Sequence, residues 1–235
     1  DLDLLKNVLI IALDDKIKSE LHEYNVEIIE APFDIKSKGL NNFWKFRCQI
    51  FLKIYEKYGS FIHSDLDAIW LKNPLDYLKD IDNNLVFSQG TIHPYKVFKK
   101  YSMVACCGFF QVKESPASKI FLNKLISDIQ FRGDDQESIN HILLKNKMYL
   151  NFKDPYYEEV KFNNEKSFSI KCSDFPIYGK VKNFYGQKLT IAYLPHRFFT
   201  RINNLINNDT IVAHPLTPKN NEDKLRLFKK LNISI

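Results

Sequence analysis

The chain has 235 residues, of which 45% are hydrophobic and 26% charged, with 19 Phe and 12 Tyr. That composition builds a sizeable core and excludes a disordered chain, and no apolar run approaches the length of a membrane span. The net charge of +6 comes from scattered basic residues, so it suits an anionic small substrate or a peripheral contact with an anionic membrane surface. It marks no nucleic-acid arm.

Cys48, Cys106, Cys107 and Cys172 form no CxxC pair, which argues against a disulfide framework or a cysteine-zinc module. The 7 glycines are widely spaced, so GxGxxG and GxxxxGK[ST] are both absent. A nucleotide bound here needs something other than a glycine loop to neutralise its phosphates, and a metal held by carboxylates is the usual substitute. The chain opens on Asp1 with neither Met nor a signal-peptide pattern, and compartment is not legible from this end. Asn208-Asp209-Thr210 and Asn232-Ile233-Ser234 are glycosylation sequons, meaningful only in a secretory lumen such as the Golgi.

In chain order, the continuous apolar run Val8 to Leu13 predicts a strand covered on both faces, as in a parallel sheet. A short helix over 16–24 and a strand over 26–29 follow. Phe43, Phe46, Ile50, Phe51, Ile54 and Tyr58 recur at helical spacing, with Gly59 placed for a C-terminal cap. Residues 60–70 read as a strand carrying Asp65 and Asp67, and Asn73-Pro74 as the start of another helix. This rhythm predicts an α/β domain with a mainly parallel central sheet flanked by helices. Further on, strands are expected over 85–88 and 103–106, helices over 116–129 and 134–145, irregular loops over 146–190, late strands over 191–195 and 210–215, and a basic helix over 222–231. No repeat or linker divides residues 1–235, which read as one domain.

Asp65 and Asp67, at i and i+2 of a strand, leave from one face and can share a divalent cation, Mg²⁺ or Mn²⁺. Asp134 and Glu137 make a capping box, with Asp135 in the first helical turn. Gln136 and Asn140 share the inward face of that helix with Ile139 and Leu143, where buried amides need backbone or ligand partners. Arg47, with Lys45 as its neighbour, lies opposite Ile50 and Ile54 and reads as a solvent-facing helix residue. His214 before Pro215 reads as a turn residue unless other ligands join it.

Ser64-Asp65-Leu66-Asp67-Ala68-Ile69-Trp70, following a long helix and Gly59, resembles the nucleotide-diphospho-sugar transferases, metal-dependent glycosyltransferases of the Rossmann-type GT-A fold. The resemblance continues through Ile10 to Asp14, Cys107-Gly108-Phe109-Phe110, Asp135-Gln136 with Asn140, and Ala213-His214 with Lys219 and Lys224. It implies transfer of a sugar from a UDP-sugar to a glycan or protein acceptor, with retention. By resemblance, Asp65, Asp67 and His214 hold Mn²⁺ or Mg²⁺. Asp65, Arg47, Gly108, Asn140, Lys219 and Lys224 bind the donor, and Asp135 and Gln136 line the catalytic pocket. Two departures stand out: Cys106-Cys107 occupies the place of an Asn, and a strand expected upstream of Ile10 is lacking. The rival enzyme class is a haloacid dehalogenase-type phosphohydrolase, whose first motif is also Asp-x-Asp. A catalytically dead sugar-binding protein of the transferase fold is the non-enzymatic alternative.

Overall fold

The computed structural model describes residues 6–24, 26–31, 33–162, 166–215 and 221–230. The N-terminal unit runs β1 (Leu9–Ala12), α1 (Asp15–Leu21) and β2 (Glu27–Glu30). Asp14 caps α1 by accepting from the Ile17 amide at 2.8 Å. β1 and β2 are parallel, as the apolar run predicts, but they form a two-stranded sheet of their own, and β1 is not covered on both faces, because only Ala12 is buried while Leu9, Ile10 and Ile11 stay partly exposed.

Next come α2 (Ile35–Lys38), α3 (Leu40–Tyr58), β3 (Phe61–Ser64), β4 (Ile69–Trp70), α4 (Leu75–Leu78), β5 (Leu85–Gln89), α5 (Tyr95–Tyr101) and β6 (Ala105–Val112). The second half holds α6 (Pro116–Arg132), α7 (Asp135–Lys145), β7 (Tyr149–Asn151), β8 (Tyr156–Phe162), β9 (Lys166–Cys172), β10 (Ile177–Phe184), β11 (Gln187–Tyr193), β12 (Phe199–Thr200), β13 (Val212–Ala213) and α8 (Asn221–Lys230).

The main sheet has six strands in the order β3-β6-β5-β11-β10-β7. Only its β5–β11 pairing is parallel, and the others are antiparallel. The fold is therefore α/β with a mixed central sheet, which corrects the expectation of a mainly parallel one. The reason lies in coverage. Leu85 and Phe87 of β5, Phe110 and Val112 of β6, and Ile191 and Tyr193 of β11 pack with α3, α6 and α7. Their alternates Val86, Phe109 and Ala192 pack on Leu78, Ile81, Phe199 and Val212. Continuous apolarity reports a strand buried on both faces, whichever way its neighbours run. Each such Phe or Leu contributes about 1.5–3 kcal/mol by leaving water.

Most of the described residues of 146–190 lie in strands, which corrects the expectation of irregular loops there. β8 and β9 form an antiparallel pair, and β10 and β11 form a hairpin closed by Tyr185 and Gly186, both at positive φ. The helices match their sequence signals more closely. Ser115 caps α6 through the Ser118 amide at 3.0 Å, and Gly133 ends it at φ 71. Asp134 then accepts from the Glu137 amide at 2.7 Å. The other half of that capping box does not form, because Glu137 turns to Arg132 at 3.1 Å instead. This sharp corner between α6 and α7 fixes the direction of Asp135.

Candidate functional site

β3 stops at Ser64, and Asp65 and Asp67 stand in the turn beyond it rather than within a strand. The Asp65 amide donates to the Gly108 carbonyl at 2.7 Å, and the Ala68 amide closes the turn on the Asp65 carbonyl at 2.9 Å. Leu66, at the tip, is 95% exposed. β3 is also the edge of the six-stranded sheet, not an inner strand. The two carboxylates nevertheless converge, because the tight turn returns the chain toward the Gly108 segment of β6.

Asp65, Asp67 and His214 each offer a ligand atom, and these atoms lie within 4.8 Å of one another. His214 follows β13 and is placed by its amide, which donates to the Thr200 carbonyl at 2.9 Å. Its Nε2 stands 3.2 Å from Asp67 Oδ1, and Lys224 Nζ of α8 stands 2.7 Å from Asp67 Oδ2. Gly108 forms the floor. A Cβ there would lie 1.9 Å from His214 Cε1 and 2.9 Å from Asp65 Oδ2, so His214 and Asp65 close on this point only because residue 108 has no side chain. Two carboxylates and an imidazole brought this close over a glycine fit a hard divalent cation such as Mn²⁺ or Mg²⁺.

Behind this cluster, Arg47 bonds Asp65 Oδ1 at 3.0 Å through Nη1 and bonds Asp135 Oδ2 through Nη2. Its guanidinium lies over the Trp44 ring, 4.4 Å from the centroid. Only 14% of the side chain is exposed, so the expectation of a solvent-facing arginine is corrected. The helical wheel of α3 places Arg47 away from Ile50, but α7 closes over that side and buries it.

Asp135 is 4% exposed at its side chain. Gln136 donates from Nε2 to the His93 carbonyl at 2.8 Å, and its Oε1 accepts from the Cys107 amide at 3.4 Å. Asn140 is fully buried and bonds both backbone groups of Ala105, at 2.8 and 2.9 Å, and the Gln136 carbonyl at 2.8 Å. Its amide is spent on holding α7 against β6. Lys219 lies outside the described residues.

Two further polar residues, His63 and Arg201, adjoin the cluster, and a third, His196, lies near Arg201; none of them is among the candidates named from the sequence. His63 Nε2 is 3.0 Å from Asp65 Oδ1. The same i, i+2 logic that paired Asp65 with Asp67 points to it. Arg201 Nη1 is 3.0 Å from Cys106 Sγ, and His196 is fully buried with neither ring nitrogen hydrogen-bonded among the described residues. Nothing in the spacing of residues 195–201 announces these two.

The electrostatics follow from these contacts. Burial would raise the Asp65 carboxyl, but the His63 hydrogen bond and the Arg47 charge outweigh it and hold it down, to about 2. His214 and Lys224 hold Asp67 well below the usual carboxylate range. Burial alone would lower His214, yet Asp67 and Cys106 carry it up to about 9. Burial also opposes ionisation of Cys106, but Arg201 and His214 bring its thiol down to about 6. Asp135 is pushed up by burial against the pull of Arg47. His63 and His196 are both depressed by burial, His196 to about 4.

Among the described residues, no helix is long and apolar enough to cross a membrane. Searches of curated proteins and of solved structures gave no match. A family model described as nucleotide-diphospho-sugar transferase matches residues 3–225, which is nearly the whole chain and includes every described residue of the cluster above. The chain belongs to the nucleotide-diphospho-sugar transferase family.

Proposed function

We propose that the protein is a metal-dependent glycosyltransferase that moves a sugar from a UDP-sugar to a hydroxyl of a glycan or protein acceptor, with retention. The observation that carries this reading is the Asp65–Asp67–His214 cluster, with ligand atoms within 4.8 Å and Gly108 letting His214 and Asp65 approach each other. Those three residues would hold Mn²⁺ or Mg²⁺. The ion, when bound, would stabilise negative charge on the departing diphosphate.

The chain's own groups then have separable roles. Lys224 supplies a point charge within reach of Asp67, and Lys219 is proposed as a second. Arg47 fixes Asp65 and Asp135 relative to each other across two elements. Asp135 and Gln136, at the start of α7, would face the donor sugar near its anomeric carbon. Asn140 acts one step back, by holding that helix start in place.

The test is a screen of nucleotide sugars with Mn²⁺, with Mg²⁺ and with excess chelator. Release of the nucleoside diphosphate with free or transferred sugar, dependent on metal, is the expected result. The anomeric coupling of the first product reports retention. Release of inorganic phosphate from phosphate monoesters, with no sugar transferred, would overturn this reading in favour of a phosphohydrolase. Binding of nucleotide sugars without turnover would mark a dead site.

A further inference from the structure

Cys106 and Cys107 are neighbours on β6 with different surroundings. Cys107 packs into the apolar core with Cys48 and Phe51. The Cys106 sulfur instead meets three polar groups. Arg201 Nη1 stands at 3.0 Å, the Gly108 amide at 3.4 Å, and His214 Nδ1 at 3.8 Å. A thiol is a weak hydrogen-bonding group and is more often inert packing. A buried sulfur that gathers a guanidinium, a backbone N–H and an imidazole calls for another explanation.

His214 supplies it. The ring has one nitrogen on Asp67, the other on Cys106, and its Cε1 edge against Gly108. A histidine that offers one nitrogen as a ligand gives its other N–H to an acceptor, and that second contact sets the direction of the ring. We infer that Cys106 is a positioning residue: its sulfur, anchored by Arg201 and the Gly108 amide, accepts from His214 Nδ1 and keeps Nε2 turned toward Asp67. Arg201 acts at one remove, by holding the sulfur. The consequence for metal affinity rests on the proposed metal centre, whereas the placement of the ring does not.

The test uses Cys106→Val, which keeps bulk and removes the acceptor, and Cys106→Ser, which keeps an acceptor. Cys106→Ala gives the same readout as Val should the branched side chain crowd the core. Crystal structures of the metal-free variants locate the His214 ring, and electron paramagnetic resonance of free Mn²⁺ gives the affinity. In Cys106→Val the ring leaves Asp67 or becomes disordered, and Mn²⁺ binding weakens by about tenfold or more. In Cys106→Ser the ring stays, with a smaller loss of affinity. Cys172→Ala, a buried thiol on β9, lowers thermal stability without moving His214. An unmoved ring in Cys106→Val would overturn the inference, as would equal displacement in Val and Ser. Failure of the unmutated protein to take up Mn²⁺ would sink the metal centre instead, and the ring position alone would then decide the role of Cys106.

Discussion

A methyl group on Gly108 would lie 1.9 Å from Cε1 of His214 and 2.5 Å from its Nδ1, deep inside van der Waals contact. Gly108 does not occupy the left-handed region, so what the position demands is space rather than backbone freedom. Gly108→Ala is expected to keep the fold, displace the His214 ring, and weaken Mn²⁺ binding by about tenfold or more, in the range seen when a ligand loses its support. A Mn²⁺ titration beside a thermal melt checks both halves. Unchanged affinity would show that the ring is not needed where it stands.

Asp67 accepts from His214 and Lys224 together, with 21% of its side chain exposed. Asp67→Asn should abolish metal-dependent transfer. It should also cost the metal-free protein about 1–3 kcal/mol, the usual worth of charge-assisted hydrogen bonds. Chelated and metal-loaded samples, compared by urea unfolding and by turnover, separate these effects. Full turnover of the variant would rule out Asp67 as a ligand.

Arg47→Gln leaves Asp65 and the buried Asp135 without their shared cation. Removing one partner of a buried ion pair typically costs about 3–5 kcal/mol, so this variant should be among the least stable. Adding Asp135→Asn to it should recover part of the loss, because the stranded charge is then gone. A double-mutant cycle measures the coupling, and additive losses would mean that the two residues act independently.

Two histidines give stability opposite pH trends. His196 is depressed to about 4, so the unfolded chain binds its proton more readily. Its contribution is complete above about pH 6.5 and is lost as pH falls toward 4, amounting to about 3 kcal/mol. His214 is raised to about 9 in the metal-free protein. Its contribution is complete below about pH 6.5 and is lost as pH rises through 9. His196→Phe should therefore flatten the acid limb of a stability-pH curve and leave the alkaline limb intact. An unchanged acid limb would assign the loss to other groups. Mn²⁺ affinity should also rise with pH up to about 9, as His214 gives up its proton to bind.

Gln136→Ala should slow sugar transfer more than it weakens binding of UDP, the pattern of a residue that touches the reacting sugar. Gln136 also ties the His93 carbonyl to the Cys107 amide, so the melting temperature is followed in the same samples. A lowered melting temperature with unchanged kinetics of the folded fraction would reduce its role to that tie.

The longer helices α3, α6 and α7 were legible because their signals are local, whereas the short α2 and α5 were not expected. The apolar spacing of α3 and the caps at Gly59 and Asp134 all act within a turn or two of the chain. β10 lies within a stretch that reads as irregular loop, although Ile177, Gly179 and Val181 alternate inward with Tyr178, Lys180 and Lys182 outward, because its Lys and aromatic content masks the alternation. Strand direction was not legible, since it depends on how distant strands meet. Asp65 and Asp67 announce themselves by being two residues apart. Arg201 reaches Cys106 across 95 positions, and only the folded chain shows why it is there.

Lys224 already occupies Asp67 in the ligand-free protein. If the proposed metal centre forms, arrival of a cation at Asp67 would be an exchange that sets the lysine ammonium free for the proposed diphosphate. A cation entering this centre raises its appetite for an anion, and by reciprocity the anion tightens the hold on the cation. Neither needs to bind well alone, and the order in which metal and donor arrive should leave the final affinity of the pair unchanged.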